Sequence, residues 1–253
     1  MRGIIAVVYR EYLVQTTSLT WIFFELALPL LYLLMFGVAF DRALGQGIAL
    51  AHQTVGYNAF FLAGVLAMTC FGNAINQSYG FFIDRDNGIF YEFMTYPIRR
   101  SEYLLGKVLF QCGMTILQSV LTIGFSSLLL GVTIPWRFSI VLLVAMVVGT
   151  AGWFFFLSIF AFSIRRNDIY NTAINALYFV LMFLSSVFYP LDSVPGWLRA
   201  ISHFNPLTWH ADVLRFLTIE VGDPGTMVLS GVAFVVFSLG SFALAIRTLQ
   251  KTG

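Results

Sequence analysis

Charge is what this sequence has least of. Only 10% of its 253 residues are Asp, Glu, Lys or Arg, against roughly 25% in a soluble domain. So little charge cannot clothe a water-facing surface, which excludes a free-standing soluble domain. Cysteine is also scarce: Cys70 and Cys112 both lie inside apolar runs, where disulfide exchange and metal entry are disfavoured, so they read as small packing residues. The net charge of +2 is too small for a nucleic-acid partner, and the basic residues fall in short clusters beside apolar runs. A phosphate-binding loop is missing too. The only Gly-Lys pair, Gly106-Lys107, is followed by Val108 instead of Ser or Thr, and Ser101 stands where the first glycine belongs. Any ATP is therefore hydrolysed on another chain, and neither a cofactor nor a metal is expected on this one.

What is present is apolar. Hydrophobic residues make up 59% of the chain, with 27 Phe and 21 Gly, which suits helices packed against lipid and against each other through small residues. A helix rises about 1.5 Å per residue, so roughly 20 apolar residues cross the hydrocarbon core. Six such runs occur: Trp21 to Phe40, Tyr57 to Asn76, Val108 to Leu130, Phe138 to Phe162, Tyr170 to Tyr189 and Thr226 to Ile246. Unpaired backbone groups cost several kcal/mol each in lipid and no strand alternation suggests a barrel, so each run is expected to be helical. The fold class is an all-α membrane protein, one domain over residues 1–253. The first run ends at Ala39-Phe40-Asp41, which is no small-x-small cleavage site, so it is kept as a span.

Orientation follows from the loops. Arg2, Arg10, Arg85, Arg99, Arg100, Lys107, Arg165, Arg166, Arg247 and Lys251 fall on one side, ten of the 14 basic residues, and Arg42, Arg137, Arg199 and Arg215 on the other. The richer side is expected to be cytoplasmic and, with an even number of spans, to hold both termini. His52, His203 and His210 then lie outside.

Three connecting segments look structured. Residues 1–17 suit an interfacial helix, with Ile4, Ile5, Val8 and Tyr12 on one face and Glu11 and Gln15 at its edge. Residues 80–107 form the largest cytoplasmic connection, and within it Gly88 to Tyr96 suits a short amphipathic helix ending at Pro97. Residues 190–225 carry Pro190, Pro195, Pro206 and Pro224, with helical patterns around Trp197 to Phe204 and Leu207 to Thr218 that could dip into the outer leaflet.

Few residues could carry chemistry. Glu25 is the one carboxylate expected within a span, near its cytoplasmic end, where it is either functional or capped and paired at the headgroup boundary. His203, His210 and Asp212 are the nearest thing to an acid-base or metal cluster, although Pro206 interrupts any one helix through both histidines. Asn73, Asn76 and Gln77 are polar glue or pore-facing groups. Tyr32 and Phe36 in the first span, with Phe179 and Phe183 in the fifth, either line a path for an amphiphile or face lipid. No pairs of buried opposite charges are expected in the spans.

An amphipathic start, six spans, a structured loop after the second and a proline-rich external hairpin before the last resemble the permease subunits of type-2 ATP-binding-cassette exporters. Asp86-Asn87-Gly88, Glu92, Pro97 and Gly106-Lys107 look like the pattern in that family's ATPase-facing loop. Pro190, Pro195, Trp197-Leu198, Asn205-Pro206-Leu207-Thr208 and Asp212-Val213-Leu214-Arg215 resemble its external signature. Phe24-Glu25 with Pro29-Leu30-Leu31-Tyr32-Leu33 and Phe36-Gly37 is similar to the lipo-oligosaccharide branch, except that Leu26-Ala27-Leu28 separate the acid from the proline; drug exporters share the remaining pattern.

The resemblance implies two permeases, identical or related, with a groove between first and fifth spans. Two ATPase subunits binding ATP-Mg would dock below on residues 88–96 and 2–17, in a bacterial or archaeal plasma membrane. Asp86, Gly88, Phe90, Glu92, Phe93, Pro97 and Lys107 would then couple to the ATPase, with Phe90 and Phe93 as the apolar docking face and Glu92 as a polar anchor. The expected cargo is a lipid-linked saccharide or related lipid, alternatively a hydrophobic drug. A membrane enzyme using His203, His210 and Asp212 is the reading from another class. An ion-coupled carrier leaning on Glu25 is a third, though no inverted repeat supports it.

Overall fold

A computed structural model describes residues 2–17, 19–45, 47–50 and 53–251; His52 lies outside the described residues. The chain opens with helix α1 (Arg2–Thr16) and runs into α2 (Leu19–Tyr32), which continues through a π turn (Leu33–Gly37) into α3 (Val38–Leu44). Two short antiparallel strands, β1 (Ile48–Leu50) and β2 (Gln53–Val55), precede α4 (Tyr57–Asp86). Next come α5 (Ile89–Phe93), α6 (Arg100–Leu130), α7 (Ser139–Ser163) and α8 (Asn167–Phe183). Helices α9 (Gly196–His203) and α10 (Pro206–Ile219) form a hairpin before α11 (Pro224–Lys251).

Among the described residues, five helices are long and apolar enough to cross a membrane: Ile22–Ala43, Tyr57–Asp86, Arg100–Leu130, Trp136–Ser163 and Pro224–Gln250. The protein is thus a helical, multi-pass membrane protein. The fifth expected span differs from its sequence reading. Instead of running to Tyr189, α8 stops at Phe183, and its last carbonyls are taken by side chains. Asn205 Nδ2 donates to Leu181 O at 2.7 Å, Ser185 Oγ to Met182 O at 2.7 Å and Ser202 Oγ to Leu184 O at 2.8 Å. The Tyr189 hydroxyl donates to Phe183 O. A helix end leaves its final carbonyls without backbone donors, and here the hairpin and Ser185 replace them.

Helix α4 is the axle of the bundle. Its residues Phe60 to Phe71 are buried without a break, and α6, α7 and α10 pack around it. Gly64 lets the chain after α8 touch α4: a Cβ there would sit 2.7 Å from Val187 O. Helices α4 and α6 also outrun their apolar stretches, so only residues 87–99 separate them instead of the expected 80–107. Polar residues at those ends find partners inside, which allows helix to continue. Gly3 lies against Glu102, and Arg100 donates to Leu249 O at 3.2 Å. Those contacts gather α1, the 87–99 loop and the last turns of α11 at one end of the bundle.

Candidate functional site

Between α2 and α8, floored by α4, lies a cavity of about 290 Å³. Glu25, Pro29 and Tyr32 enter it from α2; Asn73 and Asn76 from α4; Gln118 from α6; Asn175 and Tyr178 from α8. Glu25 is buried, and its carboxylate accepts from Gln15 Nε2 at 2.7 Å and Asn76 Nδ2 at 3.4 Å. The expected pairing with a basic neighbour is corrected: among the described residues no ion pair reaches Glu25, and amides surround it.

Pro29 explains the local geometry. Proline has no N–H, so the carbonyl four residues earlier loses its helical donor. That carbonyl belongs to Glu25, and Gln118 Nε2 donates to it instead. Gln118 Oε1 in turn accepts from Asn73 Nδ2 at 2.7 Å, Asn73 also donates to Thr115 Oγ1 at 2.9 Å, and Thr150 reaches Thr115 at 3.2 Å. The polar chain joins α7, α6, α4 and α2, so Asn73 is glue, whereas Asn76 faces the cavity. The π turn begins one turn beyond Pro29 and carries Phe36.

Four candidate path residues meet through Phe188. Ring centroids run Tyr32 to Phe36 at 6.1 Å, Phe36 to Phe188 at 5.9 Å, Phe188 to Phe183 at 5.7 Å and Phe183 to Phe179 at 6.4 Å. Phe36, Phe179 and Phe183 expose their rings on the molecular surface. The row connects the α2–α3 arm with α8, beside the cavity that Tyr32 lines.

Buried charge pairs overturn another expectation. Lys107 is fully buried, with Nζ 2.7 Å from Asp84 Oδ2 and 3.0 Å from Glu11 Oε1. Arg10 grips Asp84 through two bonds of 2.8 and 2.6 Å and reaches Glu11 at 2.6 Å. Tyr103 donates to Asp84, and Gln77 donates to Glu11 at 3.1 Å. Burial disfavours the Arg10 charge, but Asp84 and Glu11 outweigh it and hold its pKa above the ordinary arginine value. The cluster clamps α1 onto α4 and α6. It also corrects the helical face read for α1: Val7 and Glu11 turn inward, while Ile5 and Tyr12 are exposed. Gly106 sets the separation, since a Cβ there would lie 2.6 Å from Val7 Cβ. Arg10, Glu11, Asp84 and Tyr103 are not marked as a cluster in the sequence, because the apolar run of α4 ends at Asn76, ahead of Asp84. The signal was the seven-residue spacing of Gln77 and Asp84 and the four-residue spacing of Tyr103 and Lys107, each pair on one helical face.

The loop between α4 and α6 contains a helix of five residues, Ile89–Phe93, shorter than expected. Gly88 starts it with φ +79°, a left-handed value that glycine tolerates. Phe90 and Phe93 do not form an outer docking face. They pack inward, with ring centroids 5.4 and 5.3 Å from Tyr103. Asp86, Tyr91, Glu92, Tyr96 and Pro97 are exposed, as are Asn87, Thr95 and Arg99. Lys107 sits apart from them, inside the clamp.

In the hairpin, Asn205 caps α10 by accepting from Leu207 N at 2.9 Å, and Pro206 takes the first helical position, where no N–H is needed. Pro195 is the residue immediately before α9, and Trp197 is exposed. Arg215 donates to Asp212 at 2.7 Å and Ser186 O at 2.6 Å, and lies 4.1 Å over the Phe60 ring. The external signature thus fastens the hairpin to α4 and to the turn after α8. The acid-base trio does not converge. His203 is exposed and lines a cavity with Asp212, whereas His210 lies outside it, stacked 4.7 Å from Phe234 and flush against Gly149. Asp212 is occupied by Arg215 and Ser186.

Known proteins share this sequence pattern. A family described as ABC-2 type transporter matches residues 2–218. A putative transport permease, ycf38, of Cyanophora paradoxa is 31% identical over 75% of this chain and 64% of its own length. Its counterpart from Porphyra purpurea is 26% identical over 89% of this chain and 77% of its own. A daunorubicin resistance ABC transporter permease protein, DrrB1, of Streptomyces coeruleorubidus is 28% identical over 75% of this chain and 65% of its own length. The chain thus spans less than two thirds of the Cyanophora and Streptomyces proteins. With five long apolar helices and a match over most of its length, the chain belongs to the ABC-2 type transporter family, as a membrane permease.

Proposed function

We propose that this permease is the passive membrane half of an ATP-driven exporter of amphiphiles, with small hydrophobic drugs ahead of lipid-linked saccharides as cargo. The observation that carries this reading is the α2–α8 cavity beside a row of exposed aromatic rings. At about 290 Å³, it is near the small end of sizes typical for drug-like ligands. The similarity to DrrB1, named for daunorubicin resistance, favours the drug reading.

In this reading α8 is the fifth of six crossings, completed by residues 184–189 and the α9–α10 hairpin on the outer side. Both termini and the 87–99 loop lie in the cytoplasm of a bacterial or archaeal cell. A second permease, identical or related, covers the exposed rings of Phe36, Phe179 and Phe183. Two ATPase subunits holding ATP-Mg meet Asp86, Glu92 and Pro97 from below. Their motion reaches α4 and α6 through Phe90, Phe93 and the Lys107 clamp.

Inside-out vesicles carrying the permease and its ATPase test the reading. They should accumulate fluorescent daunorubicin only with ATP, and Glu92→Lys with Tyr91→Ser should reduce both ATPase copurification and uptake. ATP-independent uphill uptake by the permease alone would refute it.

A further inference from the structure

We propose that the α2–α8 cavity is a cation site, with Glu25 selecting amphiphiles that carry one positive charge on a compact apolar body. The inference deepens the exporter reading and rests on it only for calling the ligand a cargo.

Glu25 differs from the other acids inside the bundle. Glu11 and Asp84 are buried and share Lys107 and Arg10; Asp212, partly buried, has Arg215. Glu25 is equally buried at 8% exposure, yet no Lys, Arg or His among the described residues lies within ion-pair distance. Its side-chain donors include the neutral amides of Gln15 and Asn76, which satisfy lone pairs without supplying a counter-charge. In a setting of low dielectric a carboxyl without a counter-charge is costly to ionise alone, and a bound cation offsets that cost far more than it would in water.

The surroundings suit the rest of such a ligand. Val65, Met68 and Leu28 offer apolar walls, and the rings of Tyr32 and Tyr178 line the same space. Aromatic faces add attraction for ammonium groups. Leu28 and Asn175 are exposed at the rim, so the cavity is open to the outside of the helix bundle. The same carboxylate disfavours a phosphate-linked lipid, because like charges brought together without solvent repel.

Three probes on one frame test this: 4-phenylbutylamine, 4-phenylbutanol and 4-phenylbutyrate, being cation, neutral and anion. Calorimetry on the full chain with its ATPase in nanodiscs, corrected for empty nanodiscs, should show the amine binding about tenfold more tightly than the alcohol and the acid most weakly. Glu25→Gln should erase the difference between amine and alcohol. In wild type, lowering the pH should weaken amine binding and leave the alcohol unchanged, a readout that needs no variant. Equal affinities in wild type, as a carboxyl that keeps its proton would give, overturn the proposal. So does an amine preference that survives in a folded Glu25→Gln. ATP-driven uptake of a neutral amphiphile without any amine preference would sink this inference and spare the exporter reading; amine preference without ATP-driven uptake would do the reverse.

Discussion

Pro29 withholds an N–H from the carbonyl of Glu25, and the substitute donor comes from Gln118 on a different helix. The defect in α2 is therefore mended by tertiary structure and binds α2 to α6 beside the cavity. Gln118→Leu should strand that carbonyl and one donor of Asn73, at a cost of about 1–3 kcal/mol. In a Pro29→Ala background the restored helical N–H satisfies Glu25, so the same change should cost less by about 1 kcal/mol. Thermal melts of the four proteins in one detergent measure this cycle; additive costs would show that Pro29 and Gln118 are unrelated.

Lys107 neutralises two acids that water does not reach. Lys107→Met leaves Glu11 and Asp84 to share Arg10, and breaking such a buried pair costs about 3–5 kcal/mol. Removing the acids with the base should recover much of the loss, so Glu11→Gln with Asp84→Asn and Lys107→Met is expected to melt above Lys107→Met alone. Detergent-resistant yield and melting temperature decide the comparison.

Gly106 sets how close α1 approaches α6. Gly106→Ala forces Val7 aside, a clash expected to cost about 1–3 kcal/mol. The strain should release α1 locally rather than unfold the bundle. Hydrogen exchange over Arg2–Thr16 should rise several-fold in this variant, with α4 and α7 unchanged.

How much of this was legible depended on whether one helix or several had to be known. Apolar runs announced the long helices, because crossing lipid demands length and composition that single segments carry. Asn205, Pro206 and Arg215 were visible as a motif, but their partners Leu181, Phe60 and Ser186 lie in other elements, so their fastening role was not. The Lys107 clamp was hidden for the same reason: α1 contributes Arg10 and Glu11, and charges at the ends of apolar runs look solvated until a neighbouring helix covers them. Glu25 is legible as a carboxylate within an apolar run, but the sequence leaves open whether it is buried or sits at the headgroup boundary. Its lack of a basic partner needed three dimensions.

His210 and Gly149 are matched across α10 and α7. A Cβ on Gly149 would collide with Cε1 and Nε2 of the imidazole, which also stacks 4.7 Å from Phe234, so the ring is held between two spanning helices. Gly149→Ala is therefore expected to cost about 1–3 kcal/mol by overpacking. Shortening the partner should relieve the clash. In a His210→Ala background, where the slot is already empty, the same Gly149→Ala change should cost less by about 1 kcal/mol or more. Melting temperatures of the four proteins in one detergent supply the comparison. Equal costs in both backgrounds would mean that the ring moves aside freely.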